Sequence, residues 1–236
     1  MRDPVRAIVN KKAVVLLSGG LDSAVTLYAA KRDGYECHCL AFDYGQRHRI
    51  ELEMAKRMAE GAGLKLEIVK LSLPWGGSSL LDMDTSVPMN RSPEAIKDSK
   101  VPSTYVPARN TIFLSIAASY AEAIGADAIF IGAHSEDSSG YPDCRKTYLE
   151  SFDSVIKSGT KLGLEGRLTL KFPLIGMGKK DIIQLGESLG VPFQYTWSCY
   201  LGGERPCGKC DSCVLRDKGF REAGMEDPAW MTKCTR

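Results

Sequence analysis

The chain has 236 residues, with 31 basic and 29 acidic side chains and a net charge of +2. This length allows one α/β domain with a small appendage and a self-sufficient core. The nearly neutral charge gives no support for nucleic-acid binding, and no apolar run is long enough to span a membrane. We therefore expect neither a membrane nor a nucleic-acid partner. The first residues lack the apolar stretch of a signal peptide, so we expect a cytoplasmic protein.

The first part of the chain alternates short apolar runs with segments of helical periodicity. Strands are predicted at 13–17, 37–44 and 66–71, and helices at 21–31 and 47–63. This order predicts an α/β fold with a doubly wound, mostly parallel sheet. The stretch 72–105 is rich in Ser, Pro, Gly and Asp and has little periodicity, which predicts an irregular loop or a lid.

The second part resumes the same alternation. Helices are predicted at 109–125, 146–158 and 179–189, and strands at 127–132 and 168–172. A polar loop at 133–145 follows a strand at the end where α/β sheets bind ligands. From residue 197 the composition shifts to Cys, Gly, Pro and charged residues. We therefore predict a nucleotide-binding domain over 1–196 and a tail over 197–236 that needs a staple to fold.

A glycine-rich hexapeptide, Ser18-Gly19-Gly20-Leu21-Asp22-Ser23, joins the first predicted strand to the first predicted helix. Glycines allow a sharp turn and a close ligand, and a helix N-terminus offers unpaired N–H groups. The turn therefore predicts a pyrophosphate cradle, with hydroxyl donors from Ser18 and Ser23. Asp22 is expected to hold Mg²⁺ or to cap the helix. The alternative is a tight turn without a ligand, and neither a Walker A nor a Rossmann glycine pattern is present.

Four cysteines fall between positions 199 and 213, as Cys199, Cys207, Cys210 and Cys213. Four thiolates at such spacing, with glycines between them, can surround one tetrahedral ion. Zn²⁺ is the favoured ion, and a [4Fe–4S] cluster is the alternative because it uses a similar run of cysteines. Cys144 stands apart in the polar loop, where a nucleophilic role is an open alternative.

The hexapeptide resembles the signature of the PP-loop ATP pyrophosphatases, which cleave ATP between its α- and β-phosphates. Together with segments 43–48, 106–110 and 140–145 and the four cysteines, it makes the chain similar to the 7-cyano-7-deazaguanine synthases of queuosine and archaeosine biosynthesis. This resemblance implies an adenine nucleotide alpha-hydrolase-like fold, ATP, Mg²⁺ and Zn²⁺ as cofactors, and a homodimer.

The resemblance also implies a reaction. The carboxylate of 7-carboxy-7-deazaguanine is adenylated, ammonia displaces AMP to give an amide, and a second activation dehydrates the amide to a nitrile. Free ammonium is the expected nitrogen source. The expected catalytic residues are Ser18, Asp22, Ser23 and Arg109.

Two sets of binding residues complete this prediction. The expected nucleotide site consists of Leu16, Leu17, Ser18, Gly19, Gly20, Leu21, Asp22, Ser23, Ala24, Val25, Arg47 and His48. The expected acceptor site consists of Tyr44, Arg109, Asp137, Tyr141, Asp143 and Arg145. The tyrosine rings would stack on a purine-like ring, and the carboxylates would accept hydrogen bonds from its N–H edge.

Two alternatives remain at this point. One is another PP-loop enzyme, which thiolates or otherwise modifies a tRNA base or conjugates a deazaguanine to a protein. The other is a non-catalytic, zinc-bearing nucleotide-binding module. The balance of basic and acidic residues argues against a tRNA substrate.

Overall fold

The computed structural model describes residues 11–97, 101–134 and 140–230. Five parallel strands form one sheet in the order β3-β2-β1-β4-β5. They are β1 (Lys12–Leu16), β2 (Glu36–Asp43), β3 (Leu66–Lys70), β4 (Ala128–Phe130) and β5 (Thr169–Lys171). Successive strands extend away from β1 in one direction and then in the other, which confirms the predicted doubly wound sheet.

Helices flank this sheet. Five follow the predicted order, and three more, at 93–97, 161–164 and 211–223, were not predicted. In chain order, the helices are α1 (Leu21–Arg32), α2 (Ile50–Gly61), α3 (Pro93–Lys97), α4 (Arg109–Ile124), α5 (Lys146–Gly159), α6 (Lys161–Leu164), α7 (Lys179–Ser188) and α8 (Asp211–Ala223). Short 3-10 turns lie at Pro142–Cys144, Phe193–Tyr195 and Pro228–Trp230. No helix within the described ranges has the length and apolar character needed to cross a membrane.

Both faces of the sheet are covered by helices. Alternate residues of β1 point to opposite faces, so each set packs into a different apolar cluster. Val14 belongs to one apolar cluster with Leu114 of α4. Val15 belongs to the other, with Leu27 of α1 and Ile183 of α7. A strand covered on both faces has no polar side, which explains why β1 is continuously apolar in sequence.

The C-terminal segment packs closely on the sheet domain. Phe220 of α8 shares the apolar cluster of α1 and α7. A Cβ at Gly219 would lie 2.4 Å from the Lys179 side chain, so the backbone of α8 packs directly against side chains of α7. The cysteines pack with Met54 of α2 and with Trp197. The predicted division of the chain at residue 197 stays a prediction, and the segment after it completes the core.

The segment 72–105 is largely irregular in its described residues, and backbone hydrogen bonds within it reach two distant parts of the chain. Leu80 accepts a hydrogen bond of 2.9 Å from the backbone N–H of Arg47. Farther along, the Asn90 N–H donates to the Lys209 carbonyl at 2.8 Å. The segment therefore connects the end of β2 with the cysteine cluster.

Gly19 provides a test of how tightly the glycine turn packs. Its φ is +91°, and a Cβ there would lie 2.0 Å from the Glu51 carbonyl of α2, whereas Gly34 has φ +82° and nothing within 4 Å. Left-handed backbone alone costs an alanine about 1–2 kcal/mol, and overpacking adds about 1–3 kcal/mol. We expect Gly19→Ala to lower the free energy of unfolding, measured in urea, by clearly more than Gly34→Ala. Equal losses would contradict the close packing of the turn on α2.

Candidate active site and metal centre

A cavity of about 250 Å³ opens beside the carboxyl ends of β1 and β4, where the strand order reverses. Open α/β sheets bind their ligands in such a crevice. Among the predicted site residues, its lining contains Leu16, Leu17, Ser18, Gly20, Leu21, Asp22, Ser23, Tyr44, His48, Arg109 and Tyr141. The lining does not contain Gly19, Ala24, Val25, Arg47, Asp143 or Arg145. Asp137 lies outside the described residues.

The glycine turn forms one end of the cavity. The Ser18 hydroxyl donates to the Ser23 hydroxyl at 3.1 Å and accepts from the Gly20 N–H at 3.2 Å. Helix α1 follows at once, and its first intrahelical bond runs from the Ala24 N–H to the Gly20 carbonyl at 3.1 Å. Helix geometry provides no acceptor for the three N–H groups before Ala24. The turn thus presents unpaired N–H groups of the kind that bind phosphate, while the Ser23 hydroxyl donates to the Gly20 carbonyl at 2.9 Å.

Asp22 meets two basic side chains in the same cavity. Lys179 Nζ, at the start of α7, lies 2.9 and 3.0 Å from the two Asp22 oxygens. His134 Nε2, just beyond β4, lies 3.0 Å from Lys179 Nζ and 3.5 Å from Asp22. Burial opposes the charge on Asp22, but Lys179 and His134 outweigh it and hold the Asp22 pKa well below its usual value. The end of the cavity with the glycine turn therefore contains the Lys179 ammonium, fixed in place by the Asp22 carboxylate.

Sequence reasoning did not identify Lys179 or His134. Asp22 and Lys179 are 157 positions apart, so no local spacing reveals that they meet. The sequence signal that could have identified them is their position in the predicted elements. Both residues stand next to predicted element ends, His134 after the strand at 127–132 and Lys179 at the start of the helix at 179–189.

Arg109 and two predicted tyrosines form the other end of the cavity. Arg109 Nη1 donates to the Tyr44 hydroxyl at 3.0 Å, and its guanidinium lies 5.9 Å from the Tyr44 ring centroid. Burial opposes the charge on Arg109, yet Tyr44 and Cys144 together raise its pKa above the ordinary value. The Tyr141 hydroxyl lies 2.7 Å from the Thr104 hydroxyl. This end of the cavity therefore combines the Arg109 guanidinium with the rings and hydroxyls of Tyr44 and Tyr141.

Several predicted binding residues have other contacts. Arg47 donates to the Asp82 and Thr85 carbonyls at 2.8 and 3.1 Å, and so anchors the segment 72–105. Asp143 is buried and accepts the Asn110 N–H at 2.9 Å, which caps α4. The predicted ligand contacts of Arg47 and Asp143 stay predictions.

Arg145 and Cys144 are neighbours in the polar loop but differ in burial. Arg145 is exposed, immediately before α5. Cys144 is buried against the cavity, where Asn110 Nδ2 lies 3.2 Å from its sulfur. The thiol therefore lies at the Arg109 end of the cavity, and the nucleophilic alternative for Cys144 stays a prediction.

The four predicted metal ligands converge. The sulfur atoms of Cys199, Cys207, Cys210 and Cys213 all lie within 4.8 Å of one another, and the Cys207 and Cys213 sulfurs are 3.9 Å apart. Zn–S bonds of about 2.3 Å in a tetrahedron require sulfur separations of about 3.8 Å. The Lys209 and Cys210 N–H groups point at Cys207 Sγ from 3.4 and 3.3 Å. This donor set fits a four-thiolate metal centre.

Similarity to known proteins decides the family. A family model described as "Queuosine biosynthesis protein QueC" matches residues 12–224. The chain belongs to this family. Three similar curated proteins, each named 7-cyano-7-deazaguanine synthase, come from Trichodesmium erythraeum, Nostoc sp. and Thermoplasma acidophilum. The first is 52% identical over 220 residues, covering 92% of this chain and 99% of its own length.

The other two relatives are equally similar. The Nostoc protein is 53% identical over 220 residues, covering 92% of this chain and 96% of its own length. The Thermoplasma acidophilum protein is 53% identical over 219 residues, covering 93% of this chain and 91% of its own length. The chain is therefore an enzyme of this family, which confirms the resemblance predicted from its motifs.

Proposed function

We propose that this enzyme converts 7-carboxy-7-deazaguanine and ammonia to 7-cyano-7-deazaguanine, and that it cleaves ATP to AMP and pyrophosphate to do so. One observation carries the proposal beyond the names of the relatives. A single cavity contains the glycine turn and the Lys179 ammonium at one end and Arg109 with tyrosine rings at the other. ATP and a planar carboxylic acid can thus meet between them.

The phosphate end suits cleavage between the α- and β-phosphates. The N-terminus of α1 and the hydroxyls of Ser18 and Ser23 would bind the pyrophosphate oxygens. Charge develops on the departing pyrophosphate, and the Lys179 ammonium is already oriented by Asp22 to offset it. Asp22 also offers a carboxylate oxygen for Mg²⁺, which would neutralise phosphate charge when bound.

The acceptor end suits a carboxylate on an aromatic ring. Arg109 would bind the acid group, with Tyr44 and Tyr141 against the ring system. A carboxylate oxygen attacks the α-phosphorus, pyrophosphate leaves, and an acyl adenylate forms. Ammonia then replaces AMP and loses a proton to give the amide.

The second activation uses the amide as the acceptor. The amide oxygen attacks the α-phosphorus of another ATP, and pyrophosphate leaves again. Loss of AMP and of the remaining N–H protons then gives the nitrile. Two ATP molecules are therefore converted to two AMP and two pyrophosphate for each nitrile formed.

The cysteine centre has a structural part in this proposal. Cys199, Cys207, Cys210 and Cys213 would hold Zn²⁺. Trp197 and Tyr200 stand on either side of Cys199 in the chain, and both line the cavity. The ion would thus fix one wall of the active site. The homodimer and the cytoplasmic location stay predictions.

Mass spectrometry of a complete reaction tests the proposal. Enzyme, ATP, Mg²⁺, ammonium and 7-carboxy-7-deazaguanine are expected to give the amide first and the nitrile later, with AMP and pyrophosphate. Asp22→Asn serves as the inactive control, since it removes the carboxylate that orients Lys179. A folded, metal-loaded wild-type enzyme that releases no pyrophosphate with this acid would refute the proposed substrate.

A further inference from the structure

An ion pair joins the middle of the segment 72–105 to the cysteine centre. Arg91 Nε lies 3.0 Å from one Asp211 oxygen, and Arg91 Nη2 contacts the other oxygen. The Arg91 side chain is 27% exposed and that of Asp211 is 8% exposed. A bidentate pair of this kind fixes both side chains in one geometry. Arg91 therefore holds the segment to the first residue of α8, which directly follows Cys210.

The two residues before this arginine make the same connection through the backbone. Met89 and Cys210 form an isolated antiparallel bridge. The Asn90 N–H donates to the Lys209 carbonyl at 2.8 Å. Three consecutive residues of the segment therefore contact three consecutive residues of the C-terminal segment, and one of those is a predicted metal ligand.

The two ends of the segment 72–105 reach the cavity. Leu80 and Thr104 both line it, and the Ser79 N–H donates to the Ser103 carbonyl at 2.8 Å, which keeps the two ends together. Thr104 is 1% exposed, and its hydroxyl lies 2.7 Å from the Tyr141 hydroxyl. In its described residues, the segment is therefore a loop with its base in the cavity wall and its middle on the cysteine centre.

Arg91 also lies near the tyrosines of the acceptor end. The hydrogen bond with Asp211 raises the pKa of Arg91, burial opposes the rise, and electrostatic interactions with Tyr141 and Tyr200 add to it. The Tyr200 hydroxyl is 3.4 Å from the Tyr141 hydroxyl, and both tyrosines line the cavity. Breaking the contact between Arg91 and Asp211 would thus release the segment next to the rings that are expected to bind the acceptor.

We propose that Arg91 and Asp211 are positioning residues for the acceptor, and that the cysteine centre holds the segment 72–105 in the cavity wall through this pair. This inference rests on the proposed function. Neither residue is part of the cavity lining in the described ranges, so the pair acts through Thr104 and Tyr141. The acceptor should therefore lose affinity when the pair is broken.

The two ends of the cavity should respond differently to that change. The glycine turn has its own connection to the C-terminal segment, because the Trp197 N–H donates to the Gly19 carbonyl at 2.9 Å. Exchange of pyrophosphate into ATP depends on the acid and needs no ammonium, so it reports the KM of both substrates. In Arg91→Met and in Asp211→Asn we expect the KM for the acid to rise about tenfold. The KM for ATP and the maximal exchange rate should stay within about threefold of wild type.

Three further variants separate the contact from general damage. Arg91→Lys keeps the positive charge and should bring the KM for the acid back to within about threefold of wild type. Arg91→Met combined with Asp211→Asn should be no worse than either single change, because both changes remove the same contact. Arg221 pairs with Asp217 at 2.9 Å on the exposed side of the same helix. Arg221→Met should leave both KM values unchanged.

Hydrogen exchange tests the part of the cysteine centre without an activity assay. The hydrogen bond to the Lys209 carbonyl protects the Asn90 amide. We expect this amide to exchange about tenfold faster in Arg91→Met and after removal of the metal by a chelator. The Ala126 amide donates to the Ala121 carbonyl at 2.8 Å, far from the segment, and should exchange at the wild-type rate in Arg91→Met.

Three outcomes would overturn this assignment. They are an unchanged KM for the acid in Arg91→Met, equal increases in the KM values of the acid and of ATP, and an Asn90 amide whose exchange rate does not change. Absence of acid-dependent exchange in the wild-type enzyme is a different result, because it would refute the proposed function itself.

Discussion

Lys179→Met is expected to lower the rate of pyrophosphate release by about 100- to 1000-fold, because it removes the cation nearest the leaving pyrophosphate. Methionine keeps much of the lysine stem, so its packing against Gly219 of α8 is largely retained. The neighbouring Lys180 is exposed and provides the matched control. We expect Lys180→Met to release pyrophosphate at the wild-type rate in the same coupled assay.

Stability measurements separate the charge effect from a folding effect. Lys179→Met leaves the Asp22 carboxylate in a partly buried site without its main cationic partner, which costs about 1–3 kcal/mol. Adding Asp22→Asn removes that carboxylate. The double variant should therefore regain stability in urea unfolding but not activity. Near-wild-type pyrophosphate release by folded Lys179→Met would show that Lys179 has no part in the chemistry.

Cys213→Ser is expected to abolish stoichiometric metal binding and to lower the melting temperature by about 10 °C or more. Structural zinc contributes about 10–16 kcal/mol in small peptides, and a loss of only about 4 kcal/mol would produce that shift in a chain of this size. The effect should be large because α8 begins directly after Cys210 and carries Cys213 in its first turn.

The control for this variant is another buried cysteine. Cys37 of β2 is 5% exposed and lies outside the metal cluster. Cys37→Ala should keep the full metal content, measured by plasma mass spectrometry together with thermal unfolding. The same measurement identifies the ion, since iron in place of zinc would favour the cluster alternative. Full metal content and an unchanged melting temperature in Cys213→Ser would contradict the four-thiolate centre.

Sequence patterns were most informative where the relevant contacts are local. Helix α1 was predicted over 21–31 and extends over Leu21–Arg32, because its periodicity and the glycine turn lie within one short stretch. The cysteine cluster was equally predictable, since close spacing restricts how far the four sulfurs can separate. Helix α2 begins at Ile50 and not at residue 47. The Arg47 N–H donates to the distant Leu80 carbonyl, so residue 47 belongs to the connection that precedes the helix.

The parts of the site that sequence reasoning missed depend on contacts between distant segments. Asp22 was expected to hold Mg²⁺ or to cap α1, and its contacts with Lys179 and His134 became visible only in the folded chain. The assignment of His48 to the nucleotide stays a prediction, and the contact of its Nε2 with Glu51 at 3.2 Å is visible only in the folded chain. Charged residues in a sequence motif indicate that a site exists. The contacts that each residue makes become visible only in the folded chain.

Oxygen transfer from the acceptor to AMP tests the proposed chemistry most directly. 7-Carboxy-7-deazaguanine with both carboxylate oxygens labelled as ¹⁸O is incubated with enzyme, ATP, Mg²⁺ and ammonium, and the AMP and pyrophosphate are analysed by mass spectrometry. Because each activation transfers one acceptor oxygen to the α-phosphorus, each of the two AMP molecules formed per nitrile should carry one ¹⁸O, and pyrophosphate should carry none. Label appearing in pyrophosphate or phosphate, or nitrile formation with unlabelled AMP, would contradict adenylation of the carboxylate and of the amide.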